Sequence, residues 1–303
     1  MQQHPLLILV VGPTASGKTA LAVEIAKTFA CEVLSFDSRQ FYRELPIGAA
    51  IPGLEEMQGI PHHFIADRSV TQHLTAGAFE REGNERLAAL FTQKQVVVAV
   101  GGSGLFAKAL VQGFDDMSKK NEDRRDYWKA VFDAEGIAPL QQAVAERDPV
   151  YASQADMQNH QRLIRALEVM DSTGAPFSSF RKSQPKERPY RTLWIGLDPD
   201  RTLLHERINQ RVLHMVEAGL EEEARLLYPL RLLESLQTVG YREWFGYFDG
   251  LYDREEAIRL IQRNTRQFAR RQMTWFRNQE QVHWFESGEL SPILALIQQH
   301  MPA

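Results

Sequence analysis

The 303-residue sequence has a single cysteine, Cys31. An internal disulfide and a multi-cysteine zinc site are therefore excluded. Cys31 itself reads as a small buried hydrophobe. No apolar stretch reaches the roughly 18–20 residues of a membrane span. The first apolar run, Leu6–Val11, is too short for a signal core and has no basic flank before it. A cytoplasmic protein is expected. An excess of one charge is also missing: the formal net charge is −4, which does not advertise a polyanion partner. Net charge constrains little when basic residues are segregated on one face, so their distribution has to be read. Repeats and low-complexity tracts are absent as well.

What is present alternates. Four short runs read as buried parallel strands: Leu6–Val11, 32–36, Val96–Val100 and 192–197, with Val282–Phe285 as a late addition. Between the first two lies a helical pattern over residues 18–29. The alternation predicts an α/β fold with a parallel sheet. Residues 115–191 differ: they are charged, with helical patterns at 127–133, 140–147 and 160–172. Residues 177–190 form a polar, proline-containing connector. This stretch reads as a helical insertion between strands of the main sheet. After Asp198 the pattern is mainly helical.

The strongest motif is GPTASGKT, formed by Gly12, Pro13, Thr14, Ala15, Ser16, Gly17, Lys18 and Thr19 directly after the first strand. The glycines allow a tight loop whose amides can face phosphate oxygens. Lys18 puts a charge on the terminal phosphates and the Thr19 hydroxyl suits Mg²⁺. The following helix aims its N-terminus at the anion. The motif fixes diphosphate binding, not the reaction. Two other strand ends face the same edge, because ligands in open α/β sheets sit at the carboxyl ends of strands. One carries Asp37, Ser38, Arg39 and Gln40; Asp37 can serve as a base or metal partner, or as a plain turn aspartate. The other is Gly101-Gly102-Ser103-Gly104-Leu105.

Residues 259–277 contain no acid. At about 100° per residue, Arg259, Arg263, Arg266, Arg270 and Arg277 fall in one wedge of roughly 60°. Such a stripe is often a solvated face. Its arginine density without compensating acid favours a phosphate-backbone partner. A second basic set is Arg162, Arg165, Arg181 and Lys182. The pair His62-His63 has no third ligand in helical spacing, so a structural role is favoured over a metal.

Taken together, these residues resemble the tRNA dimethylallyltransferase (tRNA isopentenyltransferase) family over nearly the whole chain. The matching pieces are GPTASGKT, Asp37-Ser38-x-Gln40-x-Tyr42, Ile47-Gly48, Pro61-His62-His63, GGSGL, Asn159-x-x-Arg162-x-x-Arg165-Ala166-Leu167-Glu168-Val169, Arg207-Ile208-x-x-Arg211-Val212, Val239-Gly240-Tyr241-Arg242-Glu243 and Arg270-Arg271-Gln272-x-Thr274-Trp275-Phe276-Arg277. Departures are local. Ser103 stands for the usual Thr and Phe106 for the usual Tyr. Ala49-Ala50-Ile51-Pro52 replaces Thr-Ala-Lys-Pro, which removes a hydroxyl and a charge. His160 replaces a common Asp.

The resemblance implies a P-loop NTPase-like core with a parallel sheet flanked by helices, plus the helical insertion. It implies transfer of a dimethylallyl group from dimethylallyl diphosphate to N6 of adenosine 37 in tRNA, with Mg²⁺, by a monomer. Lys18, Thr19 and Arg211 would act on the diphosphate, and Asp37 on the amine. Contacts to tRNA would come from Asp37, Ser38, Arg39, Gln40, Ser103, Arg125, Gln161, Arg162, Leu163, Ile164 and Arg165. Further contacts would come from Gln237, Thr238, Val239, Gly240, Tyr241 and Arg242, and from Arg270, Arg271, Gln272, Met273, Thr274, Trp275, Phe276 and Arg277. The residues alone leave open a small-metabolite P-loop kinase that uses the loop for ATP. A prenyltransferase of free adenine nucleotides and a non-catalytic, nucleotide-gated RNA-binding protein also stay open.

Overall fold

The computed structural model describes residues 4–114, 121–180, 185–279 and 281–301. The basic pair Arg181 and Lys182 lies outside them. Six parallel strands of the described chain form one sheet: β1 (Leu6–Val11), β2 (Val33–Ser35), β3 (His62–His63), β4 (Val96–Val100), β5 (Arg191–Leu197) and β6 (Val282–Phe285), in the order β3-β2-β4-β1-β5-β6. β1 is central, with Leu6 opposite Val96 on one side and Arg191 on the other. Its six residues are all buried, as a strand covered on both faces must be.

Alternation along β1 divides the core. Leu7, Leu9 and Val11 pack with Leu34, Phe36, Val97 and Ala99 on one face. Leu6, Ile8 and Val10 pack with Val33, Val96, Val98 and Val100 on the other. The helices are α1 (Lys18–Thr28), α2 (Leu54–Met57), α3 (Ala76–Phe91), α4 (Gly104–Gln112), α5 (Glu122–Glu135), α6 (Ala138–Arg147), α7 (Pro149–Gln154), α8 (His160–Thr173), α9 (Arg201–Glu217), α10 (Leu220–Leu227), α11 (Tyr241–Phe248), α12 (Arg254–Arg277) and α13 (Leu290–His300). Ile25 of α1 and Ile293 of α13 cover the second face. Phe79 of α3, Phe106 of α4 and Phe276 of α12 cover the first. Each fully buried side chain of this kind contributes about 1.5–3 kcal/mol. Helices α9 to α12 add a further layer around Trp244, Tyr241 and Leu236.

The chain divides into two compact units, Met1–Gln112 with Glu187–Ala303, and Gly113–Lys186. The boundaries fall at 113 and 186, not at the expected 115 and 191. Side chains of the connector's last residues explain the shift. Arg188 pairs with Glu80 at 3.1 Å, and the Tyr190 hydroxyl donates to the Leu110 carbonyl at 2.9 Å. Both partners belong to the sheet unit. Elsewhere β2 is shorter than the expected 32–36. The strand β3 was not foreseen, since two histidines after a proline carry no strand signal. His63 Nε2 lies 2.7 Å from Glu32 Oε2, and His62 Nδ1 lies 2.8 Å from the Ile60 carbonyl. The pair thus serves the sheet edge.

The Gly113–Lys186 unit has its own core of Leu140, Val144, Tyr151, Leu163, Leu167 and Phe177. Two acids, the buried Asp148 and the half-buried Asp171, tie it together. Asp148 accepts from the Tyr151 amide at 2.9 Å and from the Ser178 amide at 2.6 Å. Asp171 accepts from Trp128 Nε1 at 2.7 Å and pairs with Arg124 and Arg147, each at 2.7 Å. Burial pushes both carboxyls upward, but these hydrogen bonds and charges outweigh it and hold both below the ordinary value. Depressed carboxyl pKa values give stability that is complete above about pH 5, a unit over the unfolded value near 4, and is lost as pH falls from there through the native values. Thermal melts should show wild type losing stability steeply from about pH 5 to 3. Asp171→Asn should be about 1–3 kcal/mol less stable at neutral pH and lose less on acidification. Identical pH dependence in the two proteins would remove Asp171 from this account.

Candidate active site

The P-loop follows β1 without a break. Gly12 has φ +145° and a Cβ there would sit 2.9 Å from the Leu197 carbonyl of β5. Gly17, at φ +89°, caps α1 in the left-handed region. Only glycine takes these turns without strain. Ser16 is buried, and its hydroxyl has no partner among the described residues. A ligand oxygen would satisfy it.

A cavity of about 510 Å³ opens over this loop. It is lined by residues 14–20, by Asp37, Ser38, Arg39 and Gln40 after β2, and by residues 100–104 after β4. Arg211 of α9, Thr238, Val239 and Gly240 before α11, and Arg271, Gln272 and Trp275 of α12 complete the wall. Lys18 donates to the Pro13 carbonyl at 2.5 Å, and Arg211 reaches the Thr14 hydroxyl at 3.3 Å. Burial brings the Lys18 ammonium down to about 8; Asp37 opposes the change and Arg211 adds to it. Arg211 is likewise lowered by burial, against the pull of Asp37 and Glu56. Two cations facing one cavity in low dielectric form a site that gains most when an anion enters. One oxygen of Asp37 accepts the Arg39 amide at 3.1 Å. The turn role and the cavity-lining role thus belong to the same side chain.

Gln272, a tRNA contact by resemblance, is buried and bonds two loops of the protein at once. It accepts from the Thr14 amide at 2.8 Å and donates to the Gly102 carbonyl at 2.9 Å. It therefore stitches the P-loop to the loop after β4. Tyr241 and Phe276 are also buried. The Tyr241 hydroxyl donates to Glu223 at 2.5 Å, and Glu223 also takes the Ile47 and Gly48 amides, each at 2.9 Å. Glu223 anchors the loop in which Ala49 and Ala50 line the cavity, and Gln40 donates to the Ala50 carbonyl at 3.0 Å. The loop is held by its backbone, so the missing hydroxyl and charge leave its position intact.

Other assigned arginines are also in internal use. Arg39 donates to the Ser235 carbonyl at 2.8 Å, which fixes the approach to residues 237–242. Arg125 and Arg165 pair with the buried Glu168 at 3.8 and 2.5 Å. Leu163 and Ile164 are core; on that helix Gln161 and Arg162 are exposed. His160 stacks on Phe132 at 4.2 Å.

The arginine stripe lies on α12 as expected, with two corrections. The helix begins at Arg254, so Glu256 precedes the acid-free run and pairs with Arg259. Arg266 is half-buried and bonds the Asn209 side chain, whereas Arg263, Arg270 and Arg277 are exposed. The opposite stripe, Ile261, Thr265, Phe268, Gln272 and Trp275, faces the cavity. Of this stripe, only Gln272 and Trp275 are picked out by the sequence, as tRNA contacts implied by the resemblance. The two polar residues inside that stripe were the signal for a lining face.

The loop, its two cations and the parallel sheet behind it define an α/β P-loop protein with an anion-attracting cavity. Comparison with known proteins agrees. The IPP transferase family model matches residues 40–279. Curated tRNA dimethylallyltransferases are similar: one from Cytophaga hutchinsonii is 46% identical, covering 96% of each chain. One from Porphyromonas gingivalis is 44% identical, covering 98% of this chain and 99% of its own. The crystal structure of a tRNA isopentenylpyrophosphate transferase from Bacillus halodurans superposes with TM-score 0.73 at 35% identity, covering 97% and 96%. A eukaryotic dimethylallyltransferase acting on tRNA shares the fold, with TM-score 0.79 at 22% identity, covering 98% of this chain and 77% of its own. The chain belongs to the IPP transferase family.

A Cβ at Gly102 would lie 2.1 Å from Gln272 Nε2. Gly102→Ala must therefore push Gln272 off the P-loop amide. Gln272→Met removes both bonds at similar volume and leaves the buried Gly102 carbonyl unpaired, at about 1–3 kcal/mol, and the half-buried Thr14 amide untied. Calorimetry with inorganic diphosphate should show binding weakened about tenfold or more in both variants. Unchanged affinity in Gln272→Met would show that the P-loop holds its shape without this tie.

Proposed function

We propose that this enzyme transfers a dimethylallyl group from dimethylallyl diphosphate to N6 of adenosine 37 in tRNA, releasing diphosphate. One observation carries the reading: a single cavity joins the P-loop, Lys18 and Arg211 to Asp37 and to an apolar wall. That wall includes Ile208, Val212, Met215, Phe268 and Trp275. The first group suits a diphosphate, the second an amine, the third a prenyl chain and a purine ring. Curated relatives named tRNA dimethylallyltransferase, matched over nearly their whole length, support it.

In this reading the allylic C–O bond breaks while the adenine amine attacks. Lys18, Arg211 and the loop amides take the charge that develops on the departing diphosphate. Asp37 accepts the amine proton and orients the nitrogen. An adenine amine is a weak nucleophile, so holding it against the donor carries much of the barrier reduction. The base leaves the anticodon stack to enter the cavity. Exposed Arg162 in the helical unit, and Gln237, Arg242 and Arg271 in the sheet unit, are offered to the RNA. A monomer is the proposed working unit. The cytoplasm, with its tRNA pool, is the proposed compartment. No helix among the described residues is long and apolar enough to cross a membrane.

Mg²⁺ fits the donor set. Thr19 offers a hydroxyl and Asp37 a carboxylate, both hard oxygens lining the cavity. Among the described residues no cluster of three or more His, Cys, Asp or Glu could hold a metal alone. An ion that takes few protein ligands and completes its shell from water and phosphate oxygens suits such a site. Bound there through Thr19, it would neutralise part of the diphosphate charge.

Mass spectrometry of unmodified tRNA incubated with the enzyme, Mg²⁺ and either dimethylallyl diphosphate or ATP tests the reading. A gain of one C5 unit on adenosine 37 is expected with the diphosphate alone; phosphate transfer from ATP would overturn the assignment. Lys18→Ala and Arg211→Ala should each lower turnover about 10²–10³-fold. Asp37→Asn should bind tRNA nearly as wild type yet lose most turnover; normal turnover at saturating tRNA would reduce Asp37 to a turn residue. The lowered Lys18 value also fixes a pH dependence. Lys18 is charged below about pH 8 and neutral above it. Donor kcat/KM should fall as pH rises through about 8, and Lys18→Arg should shift that limb upward. A limb that stays in place in Lys18→Arg would belong to another group.

A further inference from the structure

The arginine face of α12 forms one wall of a second cleft, about 540 Å³, and the other wall is the start of α9. Arg201, Leu204 and His205 face Arg263, Arg266 and Arg270 across it. At about 100° per residue these α12 positions lie roughly opposite Phe268, Gln272 and Trp275. The helix therefore separates this cleft from the catalytic cavity. The P-loop touches both: Pro13 lines the cleft, and residues from Thr14 onward line the cavity.

Charge in the cleft is almost wholly of one sign. Asp198 is its one acidic lining residue, and it is held by Arg277 at 2.7 Å. Among the described residues, Arg201, Arg263, Arg266 and Arg270 make no ion pair, whereas Arg259 and Arg277 of the same helix each hold an acid. Arg263 and Arg266 bond only the neutral amides of Asn264 and Asn209. Four guanidiniums converging on one cleft, with no carboxylate bonded to any of them, repel one another unless an anion joins them.

We propose that this cleft binds the phosphate backbone of the tRNA substrate, beside and apart from the site that receives the reacting base; the proposal rests on the tRNA reading above. Length favours a polymer over a second small diphosphate. From Arg263 to Arg277 the helix rises about 21 Å, far longer than one diphosphate and enough to track several phosphates of a strand. Continuity favours it too. The exposed edge of α12, with Gln267, Arg270, Arg271 and Thr274, runs between cleft and cavity. A strand lying over that edge reaches Arg271 on the cavity side and Arg270 on the cleft side. Planar guanidiniums suit such phosphates.

The test uses the full-length enzyme and unmodified tRNA. Arg201→Glu with Arg263→Glu reverses one charge on each wall. Arg201 is exposed at the first turn of α9 and Arg263 is exposed on α12, so neither is a packing residue. The expected result is at least tenfold weaker tRNA binding, and a log K against log salt plot flatter by about 1.5–2. The loss should fall on KM for tRNA, with KM for dimethylallyl diphosphate unchanged. The neutral pair Arg201→Gln with Arg263→Gln should show the same flattening at smaller amplitude, and it serves should the reversed pair misfold. Wild-type affinity and slope in the neutral pair would overturn the proposal. So would a raised KM for dimethylallyl diphosphate with tRNA binding intact, since the cleft would then serve the small donor. Failure of the wider tRNA reading has a different sign: wild-type enzyme would then add no C5 unit to tRNA at all.

Discussion

The buried carboxamide of Gln272 joins the two strand-end loops that make the site. Its oxygen takes a P-loop amide and its nitrogen takes the Gly102 carbonyl. A buried amide is stable only when both ends are satisfied, so the two loops and α12 must hold one mutual arrangement. Gly102 has no side chain because a Cβ would occupy the place of that nitrogen. With Gln272 fixed, the rest of α12 is oriented: Phe268 and Trp275 toward the cavity, the arginines toward the second cleft, Phe276 into the core.

The electrostatics of the cavity follow from this closure. Lys18 and Arg211 are drawn out of water by the surrounding walls, and both sit below their ordinary pKa values. Asp37 is the acid that supports both. Its one negative charge against two buried positive ones leaves an excess that an entering diphosphate offsets. In the proposed reaction the same carboxylate would take the amine proton after the diphosphate has engaged Lys18 and Arg211, which would couple leaving-group stabilisation and base function through one side chain.

Strands of β-branched residues and the GPTASGKT loop were legible in the sequence because their cause is local: apolar runs and glycine turns. The place of Asp37 followed from one topological rule about strand ends. What could not be read were long-range bonds. Nothing near residue 272 announces a partner at Thr14, and nothing near Glu223 announces the amides of residues 47 and 48. The strand His62–His63 exists because β2 offers it an edge, not because histidines favour strands. Arg188 and Tyr190 look like connector, yet they bond to the sheet unit and move its boundary.

Arginine shows the same limit most sharply. In sequence, Arg39, Arg125, Arg165 and Arg270 are equal candidates for an RNA phosphate. In the fold, the first three are spent: Arg39 on a backbone carbonyl, Arg125 and Arg165 on a buried glutamate. A cation already paired to a buried acid offers little net attraction to a new anion, since the old pair must loosen first. Arg270, with Arg201, Arg263 and Arg266, has no such acid among the described residues. A chain of net charge −4 can therefore still present a positive surface, because its one cleft-lining acid, Asp198, is held by Arg277 and the other acids lie elsewhere. The availability of charge, rather than its amount, is what the fold decides.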